Sequence, residues 1–262
     1  MSLPSSYLDR FLLGYFIGTG AVGVLAVARQ LQQLPAAVYQ MLLSVASPMF
    51  AGAHARDASS ENEHLYALTT DWAVRTALPL IVFLAFFAWP VLTLFGPGFA
   101  QVGTIPLQVF MFAQFFNLAS GPNGNMAMMS GLEREAFRID IATMTGVVVL
   151  LAALIPMLGL LGVALSSLAN SIATNIATLL LVRARLGIRW WNERYLRWLL
   201  PTICTAGAGL ILRVAVAVWS PLELGIVLIG VYVVFGSVSL LQGLHQDDLE
   251  LLRHIKQKLA FS

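Results

Sequence analysis

Long stretches of the chain are apolar on every side, and polar residues return in short clusters between them. Runs such as Leu78 to Phe95 and Val147 to Met157 show neither the two-residue alternation of a barrel strand nor the one-sided stripe of a soluble helix. About 20 such residues, rising 1.5 Å each, cross a bilayer core, and only helices and closed barrels satisfy the backbone in lipid. The pattern therefore predicts spans at about 11–28, 34–53, 73–95, 105–129, 139–158, 161–182, 199–219 and 222–241. This is an all-α polytopic transmembrane bundle of eight hydrophobic segments. The tail 244–262 mixes charge with Leu249, Leu252, Ile255 and Leu259, which predicts either an amphipathic helix on the cytoplasmic membrane surface or a solvated charged tail.

Composition agrees: 58% of the 262 residues are apolar and 11% are charged, against about 25% charged in an ordinary soluble domain. Cys204 is the single cysteine, which excludes an intrachain disulfide and a cysteine-based metal site. His54 and His64, like His245 and His254, are wrongly spaced for paired ligation on one helix. No phosphate-cradling loop, metalloprotease helix, nucleophile elbow or embedded acidic pair is present, so neither catalysis, a metal nor a cofactor is expected. No cleavable signal peptide is expected at the first apolar stretch.

Charge sets the orientation. Arg56, Arg134, Arg138 and the five arginines at 183–197 fall in alternate connections, whereas 95–103, 156–162 and 220–223 contain no Lys or Arg. The basic connections and both termini are therefore expected inside. In the connection RARLGIRWWNERYLRW, arginines alternate with Trp190, Trp191, Tyr195 and Trp198, and headgroup anchoring explains them better than nucleic-acid binding.

A charge at the centre of a span costs roughly 3 kcal/mol to insert, so each needs a reason. Asp9, Arg10, Asp140 and Arg213 can snorkel from helix ends. Arg29 and Arg75 stand deeper. Arg29 opens a line with Gln33, Gln40, Ser44 and Ser47 on one helical face, suited to a hydrated cavity. Further stripes run through Gln114, Asn117, Gly121 and Asn125 and through Ser167, Asn170, Ser171, Thr174 and Thr178, with interhelical hydrogen bonding as their alternative role. Ser120-Gly-Pro-Asn-Gly-Asn125 interrupts an apolar span, and backbone freed there is expected beside a cavity or at a simple kink.

The opening carries Asp9, then Gly18, Val22 and Gly23, then Leu34, Pro35 and Pro48. With LFGPGF at 94–99, MSGLEREAFR at 129–138 and LIPMLGLLGVALSSLAN at 154–170, this ordered set resembles the C-terminal half of polysaccharide (lipid-linked oligosaccharide) flippases of the multidrug/oligosaccharidyl-lipid/polysaccharide exporter superfamily. The resemblance covers about residues 1–185. It implies that 18–23 is an outer hairpin, that 7–17 is the second half of a span, and that one long helix occupies about 22–51. The family's basic residue stands one position early, as Ala28-Arg29-Gln30-Leu31.

The resemblance implies a transporter lobe at 1–185, a basic-aromatic connection with two added helices at 186–243, and a cytoplasmic tail at 244–262. The substrate would be a polyprenyl-pyrophosphate-linked oligosaccharide crossing the bacterial inner membrane for O-antigen or capsule synthesis. Arg29 and Arg75 would attract the pyrophosphate, and Gln33, Gln40, Asn117 and Asn170 would hydrogen-bond sugars. The partners implied are the lipid bilayer, the lipid-linked oligosaccharide, and a missing N-terminal lobe or a second copy. The alternatives are a cation-coupled multidrug exporter, for which an acidic residue at membrane depth is expected, and a non-transporting scaffold for glycan-assembly enzymes.

Overall fold

The computed structural model describes residues 3–56, 59–187, 197–215 and 220–242. Those residues form ten helices: α1 Leu3–Phe16, α2 Thr19–Ala55, α3 Ser59–Phe86, α4 Ala88–Thr93, α5 Pro97–Ala119, α6 Asn123–Met129, α7 Glu133–Leu158, α8 Leu160–Leu186, α9 Leu199–Ala215 and α10 Pro221–Leu241. Six of them (α2, α3, α5, α7, α8 and α10) are long and apolar enough to cross a membrane. The protein is an all-α polytopic membrane bundle. The tail 244–262 and residues 188–196, with Trp190, Trp191 and Tyr195, lie outside the described residues.

Three stretches differ from hydropathy alone, one of them 73–95, where α3 already begins at Ser59 and ends at Phe86 and a short α4 follows at Ala88–Thr93. The windows 11–28 and 34–53 are not two spans, because one 37-residue helix runs from Thr19 to Ala55 with Pro35 and Pro48 inside it. At 1.5 Å per residue it is about 55 Å long, enough to cross with tilt and protrude. Residues 29–33 looked like a polar loop because Arg29, Gln30, Gln32 and Gln33 are adjacent in sequence, yet the helix continues because Arg29 finds partners inside the bundle. The window 105–129 is also divided: α5 ends at Ala119, Gly121 turns the chain at φ +73°, and α6 resumes at Asn123.

Local signals explain most helix ends. Gly159, at φ +56°, both ends α7 and starts α8. Gly187 closes α8 in the left-handed conformation that a residue without Cβ adopts cheaply. Ser220 accepts the Glu223 N–H while the Glu223 carboxylate accepts the Ser220 N–H at 2.7 Å, a capping box ahead of α10 with Pro221 in its first turn.

The central helix is α3, packed against α2, α5, α9 and α10. Helices α1, α2, α5, α8 and α7 contact one another in a ring, α1 touching α2 and α7 while α8 touches α7 and α5, and α3 packs against this ring through α2 and α5. The main apolar core lies between α2, α3, α4 and α5 and includes Leu25, Phe87, Leu92, Phe110 and Met111. A smaller cluster around Phe50, Tyr66, Met126 and Val182 closes the end that carries Arg56, Arg185 and Glu135. At the opposite end Ile17 approaches Gly159, so two turns without Lys or Arg lie together. Single cysteines at Ser59 and Asn192, in a Cys204→Ser background, are expected to resist an impermeant thiol reagent in intact cells while one at Gln101 reacts. Outside labelling at 59 or 192 would reverse the orientation.

Candidate functional site: two adjoining polar cavities

Arg29 is the centre of the larger cavity. Its guanidinium donates to Asp9 Oδ2 at 2.8 Å, to Gln32 Oε1 at 3.1 Å and to Ser167 Oγ at 3.2 Å, and it stacks over the Phe110 ring at 4.5 Å from the centroid. The pair is asymmetric in exposure: the Arg29 side chain is 24% accessible and that of Asp9 is 3%. Asp9 Oδ1 and Arg29 Nε are buried with no partner among the described residues. The hairpin turn explains the meeting. Gly18 stands nine residues after Asp9 and eleven before Arg29, so the two side chains reach nearly the same depth, about 14 and 17 Å from the turn.

This cavity has a volume of about 860 Å³ and is walled by α1, α2, α5, α7 and α8. Asn117, Asn170, Ser167 and Thr174 supply hydrogen-bonding surface, and Asp140 lies on its wall. The charged side chains lining it are thus one cation, Arg29, and two carboxylates, Asp9 and Asp140. Asp9 does not snorkel, because the turn carries it into the bundle, where it is 2% exposed.

A second cavity of about 270 Å³ adjoins the first, and Asn117 and Asn175 line both. The break after α5 forms part of its wall, from Gly121 to Asn125, facing Tyr39 and Gln40 of α2. Pro122 and the positive φ of Gly121 end the helix here, and a Cβ on Gly121 would fall within 2.8 Å of the Tyr66 hydroxyl and 2.5 Å of Thr70 Oγ1. Tyr66 fixes the break by donating its hydroxyl to the Ser120 carbonyl at 2.5 Å.

The polar stripes also tie helices together. Asn117 Oδ1 accepts from Ser171 Oγ at 2.5 Å and from Asn175 Nδ2 at 2.6 Å, Asn125 donates to Ser47 Oγ at 2.9 Å, and Thr174 donates to Thr143 Oγ1 at 3.1 Å. Asn117 therefore both lines the cavities and joins α5 to α8.

Of the residues singled out in the sequence, Arg29, Asn117 and Asn170 meet in the larger cavity, and Gln40 and Asn117 in the smaller. Gln33 is exposed and lines neither, while Gln32, one position earlier, takes the place beside Arg29. Arg75 lines neither cavity. It pairs with Asp71 at 3.0 Å, one helical turn away, and Asp71 also accepts the Trp198 Nε1–H at 2.8 Å. Trp198 leads into α9, and the Tyr232 hydroxyl of α10 donates to the Thr76 carbonyl at 3.0 Å. Arg75 thus belongs to the junction where α9 and α10 meet α3. The i,i+4 spacing of Asp71 and Arg75 was a visible signal for this pairing.

Residues 2–102 match a family model described as "Polysaccharide biosynthesis protein". The chain is also similar to a curated protein of Haloferax volcanii described as "Probable flippase AglR", at 27% identity over 192 residues, which cover 68% of this chain and 37% of the relative. The chain thus spans little more than a third of that relative's length. Both findings agree with the resemblance carried by Asp9, Gly18, Val22, Gly23, Pro35 and Pro48: this multi-pass membrane protein is similar over its first hundred residues to polysaccharide-biosynthesis proteins, and over a longer stretch to a probable flippase.

Proposed function

We propose that this chain is one lobe of a flippase that carries a polyprenyl-pyrophosphate-linked oligosaccharide from the inner to the outer leaflet of a bacterial cytoplasmic membrane for polysaccharide synthesis, without catalysing a reaction. The lobe itself would be residues 1–185, with 186–243 an appended helical pair and 244–262 a cytoplasmic tail. The observation that carries the reading is the Arg29 cavity, a polar volume of about 860 Å³ inside a bundle whose outer faces are apolar. An arginine presents a planar fork that matches two phosphate oxygens. In this state Asp9 occupies one arm of that fork, so a pyrophosphate would enter by replacing a carboxylate. Asn117, Asn170 and Gln40 would hydrogen-bond the glycan, while Gln33 and Arg75 have no part in either cavity. Access would alternate by rocking against a facing lobe, supplied by an N-terminal continuation or by a second copy.

The test uses the two-lobed assembly in cells lacking their own flippase. Arg29→Lys keeps a cation beside Asp9 but removes the fork, and glycan export is expected to fall by roughly tenfold at normal protein level, in line with the loss of one charge-assisted contact. Full export by Arg29→Lys would remove the phosphate role.

Asp9 favours a second reading, a cation-coupled exporter, because it is an acidic group inside the bundle on a cavity wall. In that case export, or drug efflux, would be lost in Asp9→Asn and retained in Arg29→Lys.

A further inference from the structure

The smaller cavity differs from its neighbour in chemistry. None of its lining side chains is charged, and six of them carry a carboxamide: Gln40, Gln114, Asn117, Asn123, Asn125 and Asn175. Part of that hydrogen-bonding capacity is spent within the protein, since Asn123 donates to the Asn175 carbonyl at 3.1 Å, Asn125 to Ser47 and Asn175 to Asn117. The rest is unspent. Toward other described residues the side chains of Gln40, which is exposed, and of Gln114, which is 5% exposed, make no hydrogen bond, and the Asn117 side chain engages only its carbonyl oxygen.

Amides held at a cavity wall require water or a ligand that both donates and accepts. With no cation to balance a phosphate and no carboxylate to balance an amine, the lining selects a neutral partner. The volume lies just under the roughly 300–1,000 Å³ of sites for drug-sized molecules, which suits a single ring unit. Tyr39 adds an aromatic ring to the wall, and a Cβ built on Gly124 would meet nothing within 4 Å, so the cavity is open at that point.

We propose that the smaller cavity is a subsite for one uncharged, hydroxyl-rich sugar ring, divided from the Arg29 cavity by the bonded Asn117–Asn175 amides that line both. The kind of ligand rests on the flippase reading. The subsite itself rests on the amide lining.

The experiment uses the full chain in lipid nanodiscs with Cys204→Ser and single reporters Ala36→Cys or Gly124→Cys, which sit on α2 and α6 of the smaller cavity, or Met144→Cys in the larger one. The probes are glucose, galactose, N-acetylglucosamine and inorganic pyrophosphate. At least one sugar is expected to slow alkylation at positions 36 and 124 by about threefold or more near the millimolar Kd of a single ring, with pyrophosphate without effect there. Gln114→Met should remove that protection. If one reporter variant does not fold, the other reads the same cavity. Absence of protection by all three sugars, equal protection by pyrophosphate, or protection unchanged in Gln114→Met would each overturn the subsite. Protection by pyrophosphate at position 144 reports separately on the Arg29 cavity, so sugar protection at 36 and 124 without it would keep the subsite and remove the pyrophosphate reading.

Discussion

Arg29→Ala is expected to destabilise the protein by about 3–5 kcal/mol, because it leaves the Asp9 carboxylate buried without its cation. The loss should appear as a lower thermal midpoint in detergent and as reduced protein in the membrane. Asp9→Asn should cost less, since Arg29 keeps Gln32, Ser167, the Phe110 face and access to the cavity. The double variant Asp9→Asn/Arg29→Gln should recover much of the Arg29→Ala loss, for a neutral hydrogen-bonded pair removes the uncompensated charge. Coupling between the two positions of at least about 1.5 kcal/mol in a double-mutant cycle is the quantitative expectation. An Arg29→Ala protein as stable as the parent, or additive single effects, would show that the pair does not hold α1 against α2.

Gly162 is the second position where a small change is expected to matter. A Cβ there would lie 2.4 Å from the Leu154 carbonyl oxygen and 3.0 Å from the Ile155 nitrogen, so it meets backbone of α7, which cannot rotate away as a side chain can. Helices α7 and α8 form two walls of the larger cavity, and their close approach at Gly162 keeps Asn170 and Thr174 facing Thr143 and Met144 across it. Gly162→Ala should therefore cost about 1–3 kcal/mol by overpacking and Gly162→Val more, through opening of the hairpin. Gly146 on α7 is the internal control. A Cβ there meets nothing within 4 Å, so Gly146→Ala should be neutral or slightly stabilising. Equal thermal midpoints for the 146 and 162 alanine variants would contradict the packing.

The helical class and most span positions follow from the sequence alone. Continuous apolar runs leave no other backbone solution in lipid, whereas the turn at Gly18 came from the resemblance, since hydropathy alone ran a span through it. The resemblance also indicated one long helix where hydropathy alone suggested two, and α2 runs unbroken from Thr19 to Ala55. Arg29 was legible as a residue needing compensation. What compensates it was decided by tertiary structure, because the hairpin at Gly18 brings Asp9 to its depth, and an isolated carboxylate nine residues before a turn reads equally well as a helix-end residue. The same limit separated Gln32 from Gln33. Helical periodicity puts residues 29, 33 and 40 on one side, but a long arginine side chain bends to whichever neighbour shares its burial, and only packing against α8 sets that direction. Arg75 shows the converse. Its depth was readable, yet its partners are Asp71 one turn away and, through Asp71, Trp198, which is 127 residues distant in sequence. The division of one polar interior into a charged cavity and a neutral one belongs wholly to the tertiary structure, since it depends on Asn117 and Asn175 meeting across α5 and α8.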